Sequence, residues 1–485
     1  MNSMSGFAAL APTIAASLAA ITVLVAELFT RSKGWTSLGR LTLAAVALIA
    51  WVAADGGREV EVFASSMALD GMAVYFSLLL CALCGLAVMM SIDFLPTCGV
   101  HAREYFALLL FALTGLLVMA AATDLVVLFI GLETMSISVY VLAGMAGRDP
   151  RSGEAAIKYF LMGAFASALL IYGVALVYGA TGSTALGAIS EAVGQGGGLG
   201  SGDGVLMLGV ALILVGLGFK VAAVPFHFWA PDVYTGAPTS VTAFMATAVK
   251  AGAFAMALRT IAVALEPLGE ELGNLMWLAA AATMTVGNLA ALRQTGLKRM
   301  LAYSSVAHSG YLLIGFCAAG HGGIAAVLFY LAVYGAMNLA AFGVLMAVGD
   351  EGDGGDDISR LAGMGHRRPM MAAAMTVAML SLTGFPPLGG FMGKLFLFSA
   401  ALEAGLVGLV LVAVANTVLS AVYYLAVVRT MYFVEPAQAT AAVRHQPYLA
   451  VAVAISVAVV LALGLAPAAL MDGAREALAL TVLGP

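Results

Sequence analysis

The chain has 485 residues, of which 62% are apolar and only 10% are Asp, Glu, Lys or Arg, and its mean hydropathy is +1.04. Because a soluble protein carries about a quarter charged residues, this composition excludes a soluble globular protein. A net charge of −5 and the lack of a basic cluster exclude nucleic acid as a partner.

Apolar runs of about 20 residues, the length that crosses the hydrocarbon of a bilayer, recur along the whole chain. Such runs without strand-like alternation predict an all-α polytopic membrane protein and not a β-barrel. No Lys or Arg precedes the first run, so we interpret it as a retained span and not as a signal peptide. With Gly, Pro and charged residues as boundaries, we predict about fourteen transmembrane helices, at residues 7–29, 38–54, 71–94, 105–122, 124–145, 155–180, 205–231, 239–263, 273–292, 300–319, 323–348, 370–401, 405–433 and 448–470.

The third predicted span contains a CxxC motif, formed by Cys81 and Cys84. No second CxxC and no histidine pair at ligand spacing accompanies it, so we expect two buried core cysteines. The glycine-rich segment 194–204 lacks the features of a nucleotide loop, and the acidic segment 350–357 lacks the ligand pattern of an EF-hand. The sequence therefore predicts no metal and no cofactor bound to this chain.

Basic residues in the predicted loops orient the chain, because Lys and Arg concentrate on the cytoplasmic side of a membrane. With the N-terminus outside, fourteen basic residues fall on the cytoplasmic side and three, Arg58, Arg259 and Arg475, fall outside. This asymmetry predicts that both termini face the periplasm of a bacterial inner membrane. The fourteen cytoplasmic residues are Arg31, Lys33, Arg40, Arg103, Arg148, Arg151, Arg293, Lys298, Arg299, Arg360, Arg367, Arg368, Arg429 and Arg444.

The remaining basic residues are four lysines inside apolar spans: Lys158, Lys220, Lys250 and Lys394. Glu133 is the acid that lies well inside a span. An ionised side chain at mid-bilayer costs about 3 kcal/mol, so these residues require a specific role. One interpretation is a set of ion pairs that hold helices together. The other is a proton relay, because a buried lysine can release its proton whereas arginine keeps its charge.

Lys158 is the weakest of these candidates. It lies four residues after Glu154 near a helix end, where an i,i+4 pair or a side chain that reaches the surface explains its charge.

Two histidines extend the candidate relay. His308 lies inside the tenth span among hydroxyl residues, and an imidazole exchanges protons near neutral pH; a neutral, hydrogen-bonded packing role is the alternative. His227, beside the first helix break, is a weaker candidate of the same kind. The other histidines lie at loops or helix ends and need no special role: His101, His321, His366 and His445.

Two predicted spans are interrupted by proline. The seventh contains Pro225, five residues after Lys220, and the twelfth contains Pro386 and Pro387, the latter seven residues before Lys394. Proline removes a backbone donor, and an interrupted backbone at membrane depth requires protein or a water-filled cavity beside it. Broken helices in corresponding positions of two halves mark the transport site in many transporters.

The two breaks lie five spans apart, which predicts two inverted five-helix repeats. We expect an N-terminal three-helix segment at 1–99, a first half-channel at 100–264, a second half-channel at 273–434 and a C-terminal helix at 448–485.

Three long segments carry a more specific signal: VPFHFWAPDVYTGAPTSVTAFMATAVKAGAFA (224–255), LKRMLAYSSVAHSGYLLIG (297–315) and RRPMMAAAMTVAMLSLTGFPPLGGFMGKLFLF (367–398). In these segments, and over nearly its whole length, the chain resembles the antiporter-like membrane subunits of respiratory complex I, the proton-pumping NADH:quinone oxidoreductase. The variant FHFWAPDVYTGAPTSVTAF, together with Lys250 and Lys394, is most similar to the subunit N class.

The resemblance implies roles for the buried charges. Glu133 matches the fifth-helix glutamate that partners the seventh-helix lysine, here Lys220. Lys250 matches the lysine that links toward the second half-channel, Lys394 the lysine at its exit, and Lys158 a sixth-helix lysine of subunit N.

The function implied by the resemblance is proton translocation by a subunit without a redox centre, through these residues and His308. NADH, FMN, iron–sulfur clusters and quinone would belong to partner membrane and peripheral subunits. Two other functions stay open: a subunit of a multisubunit sodium/proton antiporter or related membrane-bound hydrogenase, and an assembly scaffold whose buried charges only fix helix packing.

Overall fold

The computed structural model describes residues 3–29, 34–55, 60–62, 66–100, 104–147, 149–195, 204–348, 356–435 and 445–481. Several sequence predictions concern residues outside these ranges. They are the orientation residues Arg31, Lys33, Arg58, Arg103, Arg148 and Arg444, the histidine His101, and most of the segments 194–204 and 350–357.

The described residues form a bundle of α-helices with one short β-hairpin. The N-terminal segment contains α1 (Ser3–Phe29), α2 (Trp35–Asp55), β1 (Val60–Val62), β2 (Met67–Leu69), α3 (Gly71–Phe94) and a 3₁₀ turn (Leu95–Cys98). The two strands pair antiparallel, with Glu61 opposite Ala68.

The middle of the chain contains the first broken helix. Its elements are α4 (Tyr105–Ala121), α5 (Leu125–Ala143), α6 (Pro150–Thr181), α7 (Leu186–Gln195), α8 (Gly204–Lys220), α9 (Trp229–Gly236), α10 (Thr239–Phe244), a π-helical turn (Met245–Val249), α11 (Lys250–Arg259) and a second π-helical turn (Thr260–Ala264).

The second broken helix lies in the part that follows. This part contains 3₁₀ turns at Glu266–Leu268, Ala319–His321 and Ile358–Leu361, and the helices α12 (Gly269–Ala291), α13 (Leu297–Cys317), α14 (Gly323–Val348), α15 (Met364–Arg367), α16 (Pro369–Thr383), α17 (Gly389–Glu403) and α18 (Val407–Phe433). The chain continues with α19 (Pro447–Leu465) and α20 (Ala468–Ala479).

The predicted all-α polytopic fold is confirmed, and both predicted breaks are present. Every predicted run overlaps a helix or the two halves of a broken one. Ten described helices are long and apolar enough to cross a membrane, and Tyr105–Ala121, Gly204–Lys220 and Pro369–Thr383 are shorter apolar helices. The count of fourteen crossings and the boundaries of the repeats stay predictions.

The features that were not predicted include the hairpin, α7 and the separation of α20 from α19. The strands have three residues each and α7 has ten, so none is long enough to give a clear periodic signal. The last predicted span continued to residue 470, whereas α19 ends at Leu465, because Pro467 cannot continue the helix.

The centre of the bundle is formed by α10 with α11, by α13 and by α14. In the most apolar 18-residue stretch of each of these helices, the share of residues that are buried is 100%, 89% and 83%, against 22% in α1. A helix that is buried all round holds any polar side chain away from both lipid and water. Lys250 and His308 lie on these central helices.

Close helix contacts in the first half depend on paired glycines. A Cβ atom at Gly115 of α4 would lie 2.5 Å from the carbonyl oxygen of Gly131 on α5. In the same way, a Cβ atom at Gly173 of α6 would lie 2.7 Å from the carbonyl oxygen of Gly209 on α8. Small residues at such contacts let backbones approach, which is how helices associate where lipid removes the hydrophobic driving force.

Acidic side chains cap the starts of two helices. Asp70 accepts a 2.9 Å hydrogen bond from the backbone N–H of Ala73 at the start of α3. Asp124 accepts a 2.8 Å bond from the N–H of Val126 at the start of α5. The cysteines of the CxxC motif are buried in α3, as expected.

Arg259 has a partner that the sequence did not indicate. It was counted on the periplasmic side for orientation, which stays a prediction, and its side chain is fully buried and forms two 2.7 Å bonds with the carboxylate of Asp70. The guanidinium also donates to the Ala120 carbonyl at 3.1 and 2.9 Å. Loop assignment from sequence missed this pair because its partners are 189 residues apart.

Candidate functional site

The first helix break follows Lys220 directly. α8 ends at this lysine, Ala222 adopts a left-handed φ of 56°, and the peptide bond between Val224 and Pro225 is cis. The chain resumes as α9 at Trp229.

The backbone groups that the break releases find partners in the protein. The indole Nε1 of Trp229 donates to the Phe219 carbonyl at 2.9 Å. The N–H of Val224 donates to Thr283 Oγ1 at 3.0 Å. Thr283 belongs to α12, so the break is held by an element that follows it in the chain.

Lys220 is buried at the C-terminal end of α8, where the unpaired carbonyl groups of a helix carry partial negative charge. Its Nζ donates to Ser136 Oγ at 2.8 Å and lies 3.5 Å from the hydroxyl of Tyr140. In the described structure this ammonium therefore donates to hydroxyl groups and not to a carboxylate.

Glu133 lies on α5, one turn before Ser136, and is half-buried. Its Oε1 accepts a 2.5 Å hydrogen bond from Ser167 Oγ. Glu133 interacts electrostatically with Lys220, but the two form no direct ion pair in the described structure. The structure thus brings the two residues into one cluster and places the Ser136 hydroxyl next to the lysine.

Lys250 begins α11, directly after the π-helical turn Met245–Val249. Such turns widen a helix locally and are frequent at functional sites. The buried Nζ donates to the Ser305 carbonyl at 2.6 Å and to Ser309 Oγ at 2.8 Å, and it lies 5.4 Å from the ring centre of Tyr334. The hydrogen-bond partners of Lys250 among the described residues are therefore neutral groups on α13.

Ser309 connects Lys250 to the first break. Its hydroxyl accepts from Lys250 Nζ and lies 2.5 Å from the carbonyl oxygen of Val221, with the Ser305 carbonyl at 3.2 Å as a second acceptor. Val221 is the residue after Lys220. One hydroxyl thus bridges the broken end of α8 and the second lysine.

His308 continues this polar path on α13. Its Nδ1 lies 2.7 Å from the hydroxyl of Tyr330 and its Nε2 lies 3.1 Å from the hydroxyl of Tyr424. The imidazole interacts electrostatically with both Lys250 and Lys394. His308 therefore lies near enough to both lysines to interact with their charges, and both of its nitrogens face hydroxyl groups. Its role as a relay link stays a prediction.

The second break also combines a residue with left-handed φ, a cis peptide bond and a buried lysine, but here the lysine lies on the helix that follows the break. α16 ends at Thr383, Gly384 adopts a φ of 90°, and the bond between Pro386 and Pro387 is cis. Lys394 folds back from α17 and its Nζ donates to the carbonyls of Thr383 at 2.9 Å and Leu382 at 3.2 Å. At both breaks a lysine thus lies at the carbonyl end of a broken helix.

Tyr311 lies between His308 and Lys394. Its ring centre is 4.5 Å from Lys394 Nζ and 5.6 Å from the centre of the His308 ring. Its hydroxyl accepts a 3.2 Å bond from Thr417 Oγ1. The path from His308 to Lys394 therefore runs past an aromatic face and has no direct hydrogen bond.

Lys158 belongs to a separate ion-pair network at the surface. Its side chain is 43% exposed, and its Nζ lies 2.7 Å from Glu154, the i,i+4 partner considered from sequence. It also lies 3.0 Å from Asp232, which in turn pairs with Arg299 at 2.9 Å. Lys158 therefore has two carboxylate partners, whereas the three buried lysines above have none at hydrogen-bond distance in the described structure.

His227 does not join the relay contacts. It is buried beside the first break, its ring lies 4.5 Å from that of Phe228, and its Nδ1 has no hydrogen-bond partner among the described residues.

Similarity to known proteins identifies the family. Residues 122–420 match the family described as NADH:quinone oxidoreductase/Mrp antiporter, transmembrane. A protein named NADH-quinone oxidoreductase subunit N from Trichlorobacter lovleyi is 43% identical over 423 residues, which are 87% of this chain and 86% of that protein. The chain belongs to this subunit N family.

Further relatives agree. NADH-quinone oxidoreductase subunit N 1 from Herpetosiphon aurantiacus is 43% identical over 471 residues, 96% of this chain and 94% of the relative. A chain in the structure of respiratory complex I from Thermus thermophilus is 34% identical with a TM-score of 0.81, covering 95% of this chain and 98% of that one. A chain of the Mrp complex from Dietzia sp. shares the fold, with a TM-score of 0.80 at 24% identity, over 99% of this chain and 97% of that one.

In this member of the subunit N family, the hydroxyl residues around the lysines and His308 were missed from sequence as individual partners. They are Ser136, Ser309, Tyr311, Tyr330 and Tyr424. A signal was present, since the sequence around His308 is rich in Ser and Tyr. Hydroxyl residues are common in membrane helices, however, so only the packing selects those that contact a lysine.

Proposed function

We propose that this chain is the proton-translocating membrane subunit of an NADH:quinone oxidoreductase and that it moves protons through Glu133, Lys220, Lys250, His308 and Lys394. The observation that carries the proposal is the position of Ser309, because this residue of the half-channel expected at 273–434 contacts both Val221 and Lys250 of the half-channel expected at 100–264. The 43% identity to a protein named subunit N supports the same assignment.

The relay works by electrostatic coupling between groups that can each lose a proton. An ionised lysine at mid-bilayer costs about 3 kcal/mol, and moving one charge across 100 mV costs about 2.3 kcal/mol. The cost of ionising a buried lysine is thus similar to the energy needed to move one charge across the membrane. A change of charge on a neighbouring group is therefore enough to change the protonation of the next lysine or histidine. Glu133 supplies such a charge beside Lys220, and Lys250 and Lys394 each act on His308.

The buried lysines suit this role because their hydrogen-bond partners are neutral. Lys394 is held by the Thr383 and Leu382 carbonyls, and Lys250 by the Ser305 carbonyl and the Ser309 hydroxyl. A neutral amine keeps the shape of these contacts, so a proton can leave without breaking a salt bridge. Lys158, with two carboxylate partners, is fixed in the charged form and has a lesser role in this proposal.

The rest of the assembly follows from the same proposal. Electron transfer from NADH to quinone, with FMN and iron–sulfur clusters, takes place in partner subunits, and this chain binds the other membrane subunits of the complex. It lies in a bacterial inner membrane with both termini in the periplasm.

Replacement of Lys250 tests the proposal in the assembled complex. We expect Lys250→Met and Lys250→Arg both to lower NADH-driven proton uptake into membrane vesicles, with the complex still assembled on native gels. Arginine keeps the charge but cannot release it, so it separates proton transfer from charge alone. Lys298→Arg is the matched control, because Lys298 is also buried and its Nζ donates to the Ala237 carbonyl at 2.8 Å, outside the relay.

Full pumping by Lys250→Arg would show that only a fixed charge is needed, as in a scaffold. Sodium-dependent pH changes in vesicles without NADH would instead support a sodium/proton antiporter, whose fold this chain shares.

A further inference from the structure

A cavity that none of the relay residues lines lies where α14 ends and where α16 and α19 begin. Its volume is about 460 Å³. One part of its wall is basic, with Arg367, Arg368 and His445, and the other part is apolar, with Met370, Met371 and Leu449 among its residues. No Asp or Glu belongs to the described residues that line it.

The basic wall is held in place by the fold. Arg368 NH1 donates a 2.5 Å hydrogen bond to the Ala347 carbonyl in the last turn of α14. This contact uses one of the five N–H donors of a guanidinium and fixes the direction of the others. Asp93 lies beside this wall, since its Oδ2 accepts a 3.0 Å bond from the N–H of Leu449 and its carboxylate interacts electrostatically with His445. Arg367, Arg368 and His445 together outweigh this carboxylate, so the basic wall keeps an excess of positive charge.

The apolar wall continues onto the outer surface of the bundle. Met370 at the start of α16 is 85% exposed, and Val451 and Ile455 of α19 are 49% and 42% exposed. Exposed apolar residues next to an arginine pair at the end of membrane helices are the surroundings that a phospholipid meets at the bilayer interface. A soluble phosphate would match only the basic wall.

We propose that this cavity binds an anionic phospholipid, with its headgroup phosphate on Arg367 and Arg368 and its acyl chains on Met370, Met371 and Leu449. Basic cavities between membrane helices bind anionic headgroups in this way. An acidic segment of a neighbouring protein would satisfy the arginines but leave the apolar wall uncovered, so the lipid fits both halves of the site.

The test is native mass spectrometry of the purified full-length chain titrated with phosphatidylglycerol or phosphatidylcholine. We expect phosphatidylglycerol to bind more tightly, and Arg367→Gln to weaken its binding about fivefold, the effect of one basic residue near a membrane surface. Arg367→Gln with Arg368→Gln should weaken it about 25-fold, whereas Arg367→Lys should retain most of the binding. Arg429→Gln is the matched control, because Arg429 is exposed and does not line the cavity.

Three results would overturn the proposal. They are equal binding of both lipids, an equal loss in Arg429→Gln, or displacement of phosphatidylglycerol by inorganic phosphate at equal concentration, which would indicate a phosphate site. Arg368 also holds the end of α14, so Arg367→Gln alone is decisive if the double variant does not fold.

Discussion

The buried pair of Arg259 and Asp70 gives the sharpest prediction about stability. Both side chains are 0% exposed, and the carboxylate accepts two 2.7 Å hydrogen bonds from the guanidinium. Asp70→Asn removes the charge but keeps an oxygen that can accept from the N–H of Ala73 at the start of α3. The main effect of this variant is therefore an arginine left buried without a counter-ion.

Breaking a buried ion pair costs about 3 to 5 kcal/mol, because the remaining charge is uncompensated. The Ala120 carbonyl still accepts two hydrogen bonds from Arg259, so we expect about 3 kcal/mol for Asp70→Asn. This equals a factor of about 150 in the ratio of folded to unfolded protein. The amount of assembled complex and its thermal midpoint in detergent should both fall.

The double variant Asp70→Asn with Arg259→Met is the control. Methionine is apolar and flexible, and replacing both partners of a buried pair is often nearly neutral. We therefore expect the double variant to recover most of the thermal midpoint that Asp70→Asn loses. A double variant as unstable as Asp70→Asn would refute the reasoning, because the loss would then come from packing or capping and not from the uncompensated charge.

Three further predictions concern the candidate relay. Ser309→Ala removes the hydroxyl between Lys250 and Val221. Because a hydrogen bond to a charged group contributes about 1.5–3 kcal/mol, proton pumping should fall about tenfold or more, while Ser309→Thr should keep it. Equal pumping by both variants would show that the bridge is not used. Gly384→Ala places a Cβ atom at a φ of 90° and 3.0 Å from Lys394 Cδ, so the lysine side chain must shift. NADH-driven proton uptake should therefore fall. Unchanged uptake would mean that the position of Lys394 is not critical. Lys158→Gln removes a 43% exposed charge, so the free energy of unfolding should change by less than about 1 kcal/mol, and pumping should fall less than in Lys250→Met. A complete loss of pumping would give Lys158 an essential role.

The sequence was sufficient for the features that depend on depth in the membrane. Long apolar runs marked the helices, Pro225 and Pro387 marked the breaks, and Lys220, Lys250 and Lys394 stood out because a charge in hydrocarbon is costly. These signals are local, so they can be read without knowing which helices touch. The burial of all three lysines agrees with that interpretation.

Only the tertiary structure decided which groups meet. Arg259 and Asp70 are 189 residues apart, and Lys158 pairs with Asp232 across 74 residues. Ser309 reaches both Lys250 and Val221 because a π-helical turn and a helix break bring three separate segments together. Hydropathy fixes whether a residue lies in the membrane, but its partners depend on how each helix is rotated and which helix packs beside it, and these follow from side-chain packing over the whole bundle.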